Sequence, residues 1–451
     1  MPIFISAQPD DRYFIWQLEI QIRNFHSLGI SKDQIHIIVG YHNIIGLKKE
    51  FIEFIEDNKD YASFFTYPDT RKCPKYISSI RPHLLTKHWQ KYPWLKNKEI
   101  FYHDSDIILS RIPSIMQLTD NINYVSDTRS YLDSSYIINN SNKSILKKMA
   151  AIVGIDIQLI SDNDTNAGGA QYLLKNIDLR FWEKVYKDSE KLFLLLDHYI
   201  LNEKQKKIFN INYHSKGIKP WYSDMWAMLW NLWYFNMVVK IHPEIDFCFP
   251  TDDIKYWKKN SIIHYSGDHN DRKDFFYKRD YTYYPPWYDE NLDSIQETNC
   301  SYPIVELIKQ RKKELDTFRI DLKKFNLLIR STNNKIVINY IKKYFNINII
   351  YIEPSFQMGK VLDFASDLII PAYLLLKIHV AMELENYTTI CFKKVYKVDA
   401  LFTEIFNKML DFKLLHQNKG KFNLHHVPIQ ISILNVTNEK VLEIDEEVFI
   451  L

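Results

Sequence analysis

A chain of 451 residues is long for one hydrophobic core and suits two domains. Its 58 basic and 55 acidic residues leave a net charge of +3, which excludes a protein that binds nucleic acid by bulk charge. The four cysteines have no C-x-x-C spacing and no apolar run reaches the ~18 residues of a membrane span, so a reduced, cytoplasmic setting with no transmembrane segment is expected.

Ile3 to Ser6 reads as a first strand, which the chain enters with no leader in front of it. The polar turn Ala7-Gln8-Pro9-Asp10-Asp11 follows, then a helix whose apolar positions Ile15, Leu18, Ile22 and Phe25 recur at helical spacing. Ile35 to Val39 is a second strand, Leu47 to Ile55 a helix and Ser63 to Tyr67 a third strand. This βαβαβ alternation predicts a parallel α/β sheet. Pro82, after Arg81, suits the first turn of a helix carrying Leu84, Leu85, His88 and Trp89.

That helix leads into Glu99 to Leu109, where an apolar strand breaks for Asp104-Ser105-Asp106 and then resumes. Two carboxylates in a covered strand are costly unless compensated, and one intervening residue aims both the same way in extended chain. A hard divalent cation is the natural compensation, and such a cation clamps a diphosphate. The bland alternative is a loop in which both aspartates accept backbone hydrogen bonds. Strand ends of open α/β sheets are where ligand crevices lie, and the order of elements places the pair there.

Further on, Asn123 to Ser126 reads as a strand and Ser144 to Val153 as a helix. In a chain with only 10 glycines, Gly168-Gly169 stands out before the apolar strand Ala170 to Leu174. A glycine pair permits close backbone approach or positive φ. Asp178 to Glu203 is a long helix, and Trp221 to Trp230 opens another that is apolar nearly all round, with Asp224 in its first turn. Ser261 to Asp268 is a short apolar strand that breaks into polar residues at His264, a candidate third metal ligand.

Asp280 to Thr298, with Pro285 and Pro286, looks like a boundary, dividing the chain into residues 1–290 and 300–451. Beyond it come a charged helix (304–318) and a second alternation: strands at 326–330, 347–352, 367–371 and 388–392, and helices at 336–344, 373–384 and 398–412. This predicts a smaller α/β domain with no readable chemistry.

The βαβαβ start, the D-x-D after the fourth strand, the Gly-Gly strand and the His-Tyr-Ser-Gly strand end together resemble the GT-A fold of nucleotide-sugar glycosyltransferases. Arg12-Tyr13-Phe14-Ile15-Trp16-Gln17, Arg81-Pro82, Gly168-Gly169 and Ser223-Asp224-Met225 look like the peptidyl hydroxyproline and serine glycosyltransferases, over about residues 1–270. The resemblance implies transfer of a sugar, with retention, from a nucleotide diphosphate donor such as a UDP-sugar to a hydroxyl of a glycan or polypeptide. It implies manganese, with magnesium as alternative, on Asp104, Asp106 and His264. Donor contacts would fall on Ala7, Gln8, Tyr13, Arg81, Asp104, Ser105, Gly168, Gly169 and Lys273, with Lys278 as an alternative phosphate ligand. Gln171 or Asp224 would stabilise an oxocarbenium-like centre. The chain departs from many retaining families in lacking Lys-Pro-Trp after the histidine. Rival readings are a nucleotidyltransferase or metal-dependent hydrolase on a similar sheet, and an inactive sugar-nucleotide-binding module.

Overall fold

The computed structural model describes residues 1–209, 217–267, 274–282, 285–287 and 289–317, and beyond them six strands. By contacts the chain forms two units, Met1–Thr282 with Asp289–Lys309, and Tyr283–Tyr288 with Gln310–Leu451. Among the described residues no helix is long and apolar enough to cross a membrane.

The first unit is α/β. Its chain runs β1 (Ile3–Pro9), α1 (Arg12–Ser27), β2 (Ile35–His42), α2 (Lys49–Asn58), β3 (Ser63–Asp69), α3 (Ile80–Lys91), β4 (Ile100–Tyr102) and β5 (Ile107–Leu109). It continues through β6 (Asn123–Ser126), α4 (Arg129–Leu132), α5 (Ser134–Asn140), α6 (Lys143–Val153), α7 (Ile157–Asn163), β7 (Gly169–Leu174), α8 (Leu179–Phe209) and α9 (Ser223–Tyr234). It closes with β8 (Val239–Ile241), β9 (Phe247–Cys248), α10 (Ile254–Lys259), β10 (Ile262–His264) and the first nine residues of α11 (Ser301–Thr317), which passes into the second unit at Gln310. The turn expected at Ala7 to Asp11 is shorter than the sequence suggested, because β1 keeps pairing with β2 through Pro9.

The main sheet has the order β3-β2-β1-β4-β7-β6-β8. It is parallel from β3 to β4, as the alternation predicts, but β7 runs antiparallel to both β4 and β6. The reversal follows from connectivity. The chain leaves β6 at Ser126, builds α4 to α7 above one edge of the sheet and re-enters at Gly169 from that same edge. Side chains alternate strictly between two cores. Phe4, Ile37, Val39, Phe101 and Leu173 face one cluster, to which α1 and α2 contribute Leu18, Ile22, Phe25, Phe51 and Phe54. Ile3, Ile5, Ile38, Ile100, Tyr102, Tyr172 and Leu174 face the other, with Leu84, Met149, Trp182 and Trp230 from α3, α6, α8 and α9. Both faces are covered, which is why these strands read as unbroken apolar runs.

A second, three-stranded sheet, β5-β10-β9, branches from the first where β4 ends. β10 runs antiparallel to β5, with His264 opposite Ile107. Residues 103–106 therefore cross from one sheet to the other instead of ending a single strand.

In the second unit, Asn326–Arg330 (β11), Asn348–Ile352 (β12) and Thr389–Lys393 (β13) lie where strands are expected. Ile429–Thr437 (β14), Lys440–Glu443 (β15) and Val448–Ile450 (β16) were not anticipated. The order is β12-β11-β13-β14-β15, with β16 also on β14. The helices expected at 336–344, 373–384 and 398–412 and the strand at 367–371 lie outside the described residues.

Candidate functional site

The crossing segment is held by one face of α1. Gln17, Gln21 and Asn24 sit at i, i+4 and i+7, a buried polar stripe beside the apolar one. Gln21 donates to the carbonyls of Asp104 (2.8 Å) and Ile107 (3.4 Å). Asn24 makes a two-way bond with the Leu109 backbone, donating at 3.0 Å and accepting at 2.7 Å. The Ser105 hydroxyl donates to Gln17 at 3.3 Å. A backbone leaving one sheet for another has lost its ladder partners, and buried amides and carbonyls need substitutes. These side chains supply them.

So fixed, Asp104 and Asp106 converge with His264, their donor atoms all within 4.8 Å of one another. Nε2 of His264 lies 3.3 Å from Asp106 Oδ1 and 3.6 Å from Asp104 Oδ2. The His264 ring packs on Phe247 at 5.2 Å, and its Nδ1 faces the Gln171 amide at 3.4 Å. Gln171 is held in turn by the Ser126 hydroxyl at 2.8 Å. Gln171 is 0% exposed, so it stands behind the imidazole and turns Nε2 towards the carboxylates, as outer partners of ligating histidines do.

Two cations complete the site. Lys278 pairs with Asp106, and Arg81 bridges Asp104 and Asp224. Burial alone would raise the Asp106 carboxyl; Lys278 and His264 outweigh it and hold the group far below the usual carboxylate range. Burial opposes the charge on Lys278 and on Arg81 as well. The carboxylates beside them overcome it and push both upward. Asp224 also lies 2.6 Å from the Tyr76 hydroxyl. Lys278 reaches the cluster because its segment is pinned to α1, where Trp16 donates to the Tyr281 carbonyl at 3.0 Å and packs on Tyr265 and Phe276.

The other expected residues are distributed around this centre. Tyr13 lies 5.9 Å from the Lys278 ammonium. Ala7 is buried, and Gln8 is buried with its amide donating to the Ile38 carbonyl at 2.9 Å, so Gln8 ties β1 to β2. Gly168 and Gly169 do allow a close approach, and the atoms that approach are the chain's own. A Cβ at Gly168 would stand 2.4 Å from the Ser126 carbonyl, and one at Gly169 2.7 Å from the Tyr172 hydroxyl. The positive φ falls on the next residue, Ala170. Lys273 lies outside the described residues. The roles of Gln17, Gln21, Asn24 and Tyr76 were missed. The helical spacing of the first three was the available signal.

The donor set fits a divalent cation: two carboxylates and an imidazole whose Nε2 faces them, with no softer ligand in the group among the described residues. The cluster follows β4 at the carboxyl end of the parallel strands, which is the crevice position of an open α/β sheet.

No family model and no curated protein matches this chain. Among solved structures it is similar to the bifunctional glycosyltransferase WbbM, at 13% identity and TM-score 0.35, over 69% of this chain and 52% of that one. It therefore spans about half of WbbM. It is also similar to mouse xyloside xylosyltransferase 1 (8% identity, TM-score 0.31, 58% of this chain and 96% of that one). A third is the glycosyltransferase GlyE of Streptococcus pneumoniae (12%, 0.29, 91% and 89%).

Proposed function

We propose that the chain is a metal-dependent glycosyltransferase that moves a sugar from a nucleotide diphosphate donor, a UDP-sugar, to a hydroxyl acceptor, with retention and with manganese as the preferred ion. One observation carries the reading: Asp104, Asp106 and His264 converge at the crevice edge with Arg81 and Lys278 beside them. Among the described residues, the carboxylates of Asp104, Asp106 and Asp224 face the two cations Arg81 and Lys278, which leaves one net negative charge on these five groups. That balance suits a divalent cation together with a diphosphate, the second bringing back the charge that the first removes.

A bound cation would supply Lewis acidity at the leaving diphosphate. The chain's own contribution is positional and electrostatic. Lys278 and Arg81 present fixed positive charge where negative charge grows as the donor bond breaks. The acceptor oxygen bonds to the anomeric carbon, the bond from that carbon to the diphosphate oxygen breaks with its electron pair staying on oxygen, and the hydroxyl proton passes to the departing phosphate. We assign stabilisation of the positive sugar centre to Asp224, whose contacts with Arg81 and Tyr76 support the reading by fixing the carboxylate.

A second reading has one observation in its favour. Both carboxylates of the pair already carry an ion-pair partner, as they would in an inactive module whose aspartates serve only the fold. Incubation with a panel of nucleotide sugars and manganese separates the two. Release of free sugar and nucleoside diphosphate, abolished by chelation, is expected. A panel with no turnover and no manganese binding would leave the inactive module.

A further inference from the structure

A cavity of about 620 Å³ opens at the same edge, lined by residues just after β6 and β8. Its walls include Asp127, Arg129, Tyr131, Asp246, Phe247 and Phe249, none of them among the residues the sequence singled out. The volume is that of a small-molecule site. Three observations say what fits it. First, it adjoins the cluster: Phe247 packs on the His264 ring at 5.2 Å, and Tyr131 packs at 4.9 Å on Tyr222, two residues before Asp224. Second, it lies across β4 and β7 from β1, β2 and β3. Third, its chemistry pairs aromatic faces with hydrogen-bond acceptors. Phe249, 37% exposed, packs against Phe247 at 5.2 Å. Asp246 accepts from the Asp127 amide at 2.7 Å with one oxygen, leaving the other for a ligand.

We infer that this cavity is the acceptor subsite and that the acceptor is a neutral carbohydrate. The inference rests on the glycosyl-transfer reading and deepens it. A sugar ring offers an apolar C–H face to an aromatic ring and hydroxyl donors to carboxylates, which is what these walls supply. The charge selects against anions, since among the described lining residues Asp127, Asp133 and Asp246 outnumber Arg129, which is itself paired with Asp127 at 2.6 Å.

The test measures binding of a panel of methyl hexosides and neutral oligosaccharides, and of a serine-containing peptide, by saturation-transfer NMR to the full chain, Phe249→Ala, Phe249→Tyr and Asp246→Asn. UDP affinity and donor hydrolysis are followed in each. Saturable binding of a glycoside is expected in the full chain, weakened tenfold or more in Phe249→Ala and Asp246→Asn, kept in Phe249→Tyr, with UDP affinity within twofold throughout. Glycoside binding unchanged in both weakened variants, or binding of the peptide and no glycoside, overturns the inference. If no nucleotide sugar is hydrolysed, glycosyl transfer fails as a reading, and glycoside binding, measured without donor, still decides the cavity.

Discussion

Asp104 and Asp106 differ in what surrounds them, so their removal should have different consequences. Asp104 is partly exposed and shares Arg81 with Asp224, whereas Asp106 is buried and is the carboxylate that neutralises Lys278. Either change to Asn should abolish metal-dependent turnover, because each removes one ligand charge. Asp106→Asn should also lower stability by about 3 kcal/mol by stranding a buried ammonium, while Asp104→Asn should cost under about 1 kcal/mol. Activity assays with urea melts check both, and turnover surviving in either variant would remove that residue from the metal site. Lys278→Met tests the competition directly. Lys278 occupies Asp106, so losing the ammonium should tighten manganese binding on the order of tenfold, while turnover falls because a charge beside the leaving group is gone. Calorimetric titration reads the first effect and initial rates the second. Weaker manganese binding would mean that Lys278 holds Asp106 in place instead of competing for it.

At the scale of elements, the seam between β2, β3 and α3 should set the acid limit of the fold. His36 Nδ1 lies 3.1 Å from His88 Nε2, and His88 Nδ1 lies 2.8 Å from the Tyr67 hydroxyl. Burial lowers His36 to about 4 and His88 to about 3, against 6.5 for the free group. Below pH ~6.5 the unfolded chain binds protons that the folded one refuses, so stability should be complete above that pH and lost by several kcal/mol on acidification towards 4. Urea melts at pH 7 and 4.5 check it. A flat profile would show that these rings charge in place. Gly168→Ala should be severe, since a Cβ there meets the Ser126 carbonyl at 2.4 Å, while Gly217→Ala meets nothing within 4 Å among the described residues. A loss of about 3 kcal/mol against under 0.5 is expected from thermal melts. Equal effects would mean that the β6–β7 junction yields easily. The elements also show what the sequence could tell. β1 to β4 and the acidic break were legible because their signals are local: apolar runs, alternation with helices, and a charge interruption. The reversal of β7 was not, because direction depends on where a 42-residue excursion re-enters the sheet. Lys278 could be offered only as an alternative to Lys273, since it meets Asp106 across 172 residues. β14 was overlooked although Ile429, Ile431 and Ile433 alternate in plain view.

For the whole molecule, we propose that the first unit carries the entire donor site, and the position of α11 decides where it can be cut. The boundary read from sequence falls near residue 290, ahead of this helix. Yet Ile304, Val305 and Ile308 of α11 are buried, and Ser301 at its start donates to the Pro250 carbonyl at 2.9 Å and accepts from the Phe276 amide at 2.8 Å. Phe276 belongs to the segment that brings Lys278 to Asp106. A chain ending near residue 295 would thus lose one of the anchors of the Lys278 segment together with three core side chains worth roughly 1.5–3 kcal/mol each. A chain ending at Thr317 keeps both. The longer truncation should melt cooperatively and bind UDP and manganese by calorimetry with affinities near those of the full chain. The shorter one should melt at least several degrees lower and bind UDP more weakly. If the chain ending at Thr317 folds cooperatively and does not bind UDP, the second unit completes the donor site and the proposed division of labour is wrong.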